Sequence, residues 1–121
     1  MSNPGSEMKR SSWSELLDAA TNDHQGKDTT VEALGTDIGD QVLAEHMALV
    51  SLTYDRKDDA VIVSVDKGRG GTPAAVRHII EHPEQVLVDA VPPEIPLTVE
   101  IVGADGATTI VTVHQTRKDD E

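Results

Sequence analysis

The stretch "LTVEIVGADGATTIVTV", residues 97–113, decides how the rest of the chain is read. Two runs of alternating apolar and polar residues flank Asp105-Gly106, and period-two alternation marks a strand with one buried face. A two-residue turn at Asp105-Gly106 would set Val111 opposite Glu100 and Val113 opposite Thr98. A three-residue loop, Ala104-Asp105-Gly106 with its glycine in the left-handed conformation, pairs Gly103 with Ala107 instead. It sets Leu97, Val99 and Ile101 opposite Val113, Val111 and Thr109. A slip of one residue turns a strand's apolar set toward water, so the pattern predicts the three-residue loop.

Working upstream, "QVLVDAV" (85–91) is a further strand, stopped by "PPEIP" because proline donates no ladder hydrogen bond. "MALVSLTYD" (47–55) and "AVIVSVD" (60–66) are β-branched runs joined as a hairpin by "RKDD". "TTVEAL" (29–34) alternates and is interrupted by the glycines of "GTDIGDQ". Residues 73–82 fit either a strand or a helix capped by Thr72 with Pro73 in its first turn.

One segment reads as helix without competition. In "SSWSELLDAA" (11–20), Ser12 and Glu15 make an S-x-x-E capping box, and Trp13, Leu16, Leu17 and Ala20 form one apolar stripe. Asn22 and Gly26 are the candidate terminators. Residues 1–11 and 116–121 are polar and aperiodic, and read as flexible tails around a single domain at 12–115. The expected fold is α+β. A short N-terminal helix packs on a mostly antiparallel, curled sheet of about five to six strands, or on a small partly open barrel.

Composition narrows the function classes. The chain has 121 residues, 22 acidic against 10 basic, for a formal charge of −12. Such a field repels nucleic acid and anionic membrane, so neither is an expected partner. The excess of aspartate over glutamate, with scarce lysine, fits a salt-adapted or a high-GC organism. No cysteine is present, which excludes disulfides, thiolate metal sites and a cysteine nucleophile. No apolar run approaches the roughly 18 residues of a membrane span, and the first residues carry no secretory pattern, so the cytoplasm is the expected compartment.

The order of a first-helix tryptophan, "VEALGTDIGDQ", "LVSLTYDRKDDAVIVSV", "HIIEHPEQVLVD" and "LTVEIVGADGATTIV" resembles the prokaryotic domain of unknown function 5335. The likeness covers roughly residues 10 to 114. Its markers are Gly39-Asp40-Gln41, Tyr54-Asp55 with Asp58-Asp59, His78, His82-Pro83 and Asp105-Gly106. The glycine-rich "KGRGG" departs from a more compact connection in that family. The resemblance implies the fold and supplies no catalytic residue.

Four places could carry chemistry. His78-Ile79-Ile80-Glu81-His82 spells the H-x-x-E-H signature of zinc peptidases, which requires both histidines on one helical face. Pro83 works against helix at His82, and in a strand the two histidines stand roughly 13 Å apart, too far to chelate one ion. His78 and His82 are therefore candidate metal ligands only. Lys67, Arg69, Gly70, Gly71 and Thr72 form a locally basic, glycine-rich loop suited to an anion, without Walker spacing. The clusters Asp37/Asp40 and Asp55/Asp58/Asp59 lack EF-hand spacing. Val102 and Ile110 fall on the polar face of the last hairpin, as a candidate interaction face.

No G-x-S-x-G or other nucleophile motif occurs, so no catalytic residue and no cofactor are assigned. The leading expectation is a non-enzymatic binding module for a protein partner or for a second copy of itself. The alternative is a small-ligand- or metal-dependent enzyme using His78, Glu81 and His82 beside the Lys67–Thr72 loop.

Overall fold

The computed structural model describes residues 6–35, 39–67, 75–89 and 97–117. A two-residue strand β1 (Ser6–Glu7) and a 3-10 turn (Arg10–Ser12) precede helix α1 (Trp13–His24). Seven longer strands follow: β2 (Lys27–Leu34), β3 (Asp40–Asp55), β4 (Ala60–Asp66), β5 (Val76–Glu81), β6 (Pro83–Asp89), β7 (Leu97–Gly103) and β8 (Thr108–Arg117). They form one sheet in the order β1-β6-β7-β8-β2-β3-β4-β5, with every neighbouring pair antiparallel. The fold is α+β as expected, with more strands than the sequence suggested. The elements also reach beyond the expected bounds of 12–115, to Ser6 and to Arg117.

The β7–β8 hairpin takes the register that the apolar pattern demands. Leu97 faces Val113, Val99 faces Val111 and Ile101 faces Thr109. Gly103 N–H donates to Ala107 O at 2.9 Å, and Gly106 sits at φ 88°. All six of those facing side chains are buried.

The sheet curls because β3 serves two halves. Its residues 40–48 pair with β2, whereas 48–55 pair with β4, and register shifts lie on both sides of the change. Such bulges bend a strand and raise its twist. At the far side, β5 and β6 are joined by His82 alone, at φ 52°, although they lie toward opposite ends of the sheet order. The sheet thus rolls until its two ends meet at a corner, leaving the wall open along β5. Gly103 permits the approach: a Cβ there would lie 3.4 Å from Ile80 Cγ2 and 3.1 Å from Asp105 Oδ1.

Valines of β4, β7 and β8 fill the interior, together with Leu49, Leu52 and the helix residues Trp13 and Leu17. With no phenylalanine in the chain, Trp13 is the largest core side chain. Of the expected helical stripe, Leu16 stays exposed. The expected capping box is absent: Ser12 belongs to the 3-10 turn, at φ −102° and ψ −5°, and its side chain makes no capping bond. A capping serine needs extended dihedrals, which the continuous turn removes. The helix runs to His24, past Asn22, and Gly26 at φ 88° makes the reversal. Thr21 Oγ1 bonds both backbone groups of Leu52, at 2.7 Å to N and 2.8 Å to O, stitching α1 to β3.

Candidate functional site

Of residues 73–82, which admitted either helix or strand, 73–74 lie outside the described residues and Val76–Glu81 form the strand β5. Its ladder to β4 runs from Ala60–Glu81 to Val65–Val76. Ile79 and Ile80 take opposite faces, exposed and buried respectively. The H-x-x-E-H residues therefore never share a helical face, which corrects the helical alternative. His78 points inward, its Nε2 3.2 Å from Thr109 Oγ1, and burial pushes its pKa below the ordinary histidine value. His82 stands at the corner with Nδ1 3.3 Å from Asp59 Oδ2. Both histidines line one open cleft of about 400 Å³ beside Ile80, Asp105 and Thr109, but their rings turn to these different partners.

Asp59 gathers the corner. It occupies the left-handed region at φ 52°, and its carbonyl accepts the His82 N–H at 2.8 Å. Tyr54 Oη donates to Asp59 Oδ1 at 2.7 Å, and Arg10 Nη1 approaches the same oxygen at 3.3 Å. Arg10 also donates to Pro83 O at 3.0 Å and lies 4.3 Å over the Trp13 ring. Trp13 meets Tyr54 edge-on with centroids 5.2 Å apart, and its Nε1 donates to Met8 O at 3.1 Å. The Tyr54 hydroxyl and then the His82 ring hold the Asp59 carboxyl below its ordinary value, while the bond to Asp59 raises the Tyr54 phenol. A partly exposed Arg–Asp pair contributes little by itself. The value of this cluster is that it ties the N-terminal segment, the β3–β4 hairpin and the β5–β6 corner together. Several markers of the family resemblance, far apart in sequence, meet here: Tyr54, Asp59, His82 and Pro83, beside the first-helix tryptophan.

The remaining sequence candidates scatter. Lys67 is exposed just after β4, and Arg69, Gly70, Gly71 and Thr72 lie outside the described residues, as does Asp37. Asp55 Oδ1 accepts the N–H groups of Lys57 and Asp58 at 3.0 and 3.3 Å, closing the β3–β4 turn. Val102 and Ile110 are half-buried on the convex face. Val102 lies opposite Thr108 and Gln85, and Ile110 opposite Glu100 and Glu32.

One group escaped the sequence reading entirely. Asp28, His46 and His114 come from three strands, and their potential ligand atoms all lie within 4.8 Å of one another. No local spacing links them, since β2 meets β3 and β8 only after the sheet has formed.

No helix among the described residues is long and apolar enough to cross a membrane. No solved structure matches the chain. It is similar to an uncharacterized protein of Aquifex aeolicus (strain VF5), with 26% identity over 106 residues that cover 88% of each chain. The sequence profile of a family of unknown function, DUF5335, matches residues 5–121, nearly the whole length. With the tryptophan-anchored helix, the curled sheet and the Asp59 corner in place, the chain belongs to the DUF5335 family.

Proposed function

We propose that this domain is a non-catalytic binding module that takes up an extended, basic segment of a protein partner along β5. The carrying observation is the open edge. Among the described residues β5 pairs only with β4, and at its centre Ile79 is 48% exposed. Ile79 borders both the 400 Å³ cleft and a second depression of about 370 Å³. The second depression is lined by Asp55, Asp58 and Glu81 against Arg77 alone among permanent cations. An added strand would draw affinity from main-chain hydrogen bonds, and Ile79 with its flanking carboxylates would supply the choice of side chains. The net charge of −12 steers a basic partner and repels an acidic one.

Self-association through Val102 and Ile110 is the weaker form of the same reading. Glu32 and Glu100 flank Ile110, so two copies would bring like charges together. The enzyme alternative at His78, Glu81 and His82 loses its helical premise.

Amide shifts in heteronuclear spectra of the 13.0 kDa chain test the proposal. The probes are a synthetic peptide alternating arginine with valine and its glutamate–valine counterpart. The basic peptide should shift amides of residues 76–81, with affinity that falls with salt and disappears in Ile79→Lys. Equal binding of the acidic peptide, or shifts that avoid β5, would reject the proposal.

A further inference from the structure

Asp28 is the one charged side chain buried among the described residues, 7% exposed, although it lies on the convex face of the sheet. Its Oδ2 is 2.7 Å from His46 Nδ1. Its Oδ1 is inaccessible to water and has no hydrogen-bond partner. A buried carboxylate oxygen left without a donor is costly, and native folds rarely keep one without a reason.

The strands beside Asp28 are distorted in a way that serves it. On β3, Glu45 and His46 together oppose Thr30, between the pairs Thr29–Met47 and Val31–Ala44, and His46 sits at φ 55°. On β8, the register jumps between Thr29–Val113 and Lys27–Arg117, at the position of His114. Bulges re-aim side chains. These two bring imidazoles over one carboxylate from both sides, with rings 5.4 Å apart and 24° from parallel. A left-handed dihedral at a histidine is itself strained, a condition that recurs at ligand sites. Thr30 Oγ1 lies 3.4 Å from His114 Nε2, placed as an outer partner that orients the ring.

We propose that Asp28, His46 and His114 bind a divalent first-row transition ion of the zinc class. Two imidazole nitrogens and one carboxylate oxygen form a donor set typical of zinc with an open coordination position. Calcium and magnesium prefer oxygen ligands to imidazole nitrogen. Nickel and copper share the preference for imidazole, so the site selects a class rather than one metal. The donor atoms, within 4.8 Å of one another, close on an ion at about 2.0–2.2 Å by ring rotation. The His46 side chain, 58% exposed, accommodates that rotation and provides the path in from solvent.

Zinc chloride titrated calorimetrically into the untagged full chain is the test, with cobalt as a spectroscopic substitute. The wild type should bind about one equivalent and melt at higher temperature with zinc. His46→Ala, His114→Gln and Asp28→Asn should each weaken binding about tenfold or more. Because Asp28→Asn alters a buried group, His114→Gln on the convex face carries the decision if that variant fails to fold. His78→Ala and His82→Ala should bind like the wild type. The proposal is overturned if zinc does not bind, if binding survives in His114→Gln, or if His78→Ala abolishes it. Zinc is read separately from peptide binding at β5, so either proposal can fail alone.

Discussion

At the scale of single residues, Asp59 shows how one side chain closes a fold. Asn tolerates the left-handed backbone as Asp does, so Asp59→Asn removes the charge without adding strain. The folded carboxyl lies below its ordinary value of 3.8. Its contribution is therefore complete above that value and is lost as pH falls through the lowered folded value. Asp59→Asn should lower the urea midpoint at neutral pH, and the gap to the wild type should close in strong acid. A gap that persists unchanged at low pH would mean that geometry rather than charge holds the corner. In the sequence Asp59 stood out as one of an acidic cluster and as a marker of the family resemblance, with no role attached. Its partners Arg10, Tyr54 and His82 come from three separate segments, and their convergence has no local signature.

Among the elements, legibility followed the range of the interactions. The β7–β8 hairpin was readable down to its loop, because alternation and the Asp-Gly pair both act within 17 residues. The strand identity of β5 was not, because Ile79-Ile80 suits either period and only the ladder to β4 decides. The helix was readable in its apolar stripe but not in its start, where the 3-10 turn displaced the capping serine. Its attachment rests on Thr21, whose hydroxyl answers both backbone groups of the buried Leu52. Thr21→Val keeps the shape and strands the Leu52 N–H, for an expected loss of about 1–3 kcal/mol. Thr21→Ser, which keeps the hydroxyl, should lose less. Urea midpoints at constant slope measure both. A larger loss in Thr21→Ser than in Thr21→Val would place the contribution in the methyl group.

For the whole molecule, charge and curvature dominate. A chain at −12 repels itself, and added salt screens that repulsion. The melting temperature should rise as sodium chloride increases from about 0.02 to about 0.5 M, most steeply below physiological ionic strength, where the screening length changes most. A flat response in calorimetry would show that local pairing already offsets the excess acid.

The sequence by itself determined the α+β class, the antiparallel hairpins, the register of the last one and the acidity of the surface. Each depends on neighbours along the chain or on composition alone. Only the tertiary structure decided where the sheet ends meet, which edge stays open, and which carboxylates gain partners. Asp59 and Asp28 acquire their surroundings from bulges and corners that bring together residues distant in sequence, Arg10 and His82 around the first and His46 and His114 around the second. Such placements arise from the packing of the rolled sheet, and no local pattern encodes them.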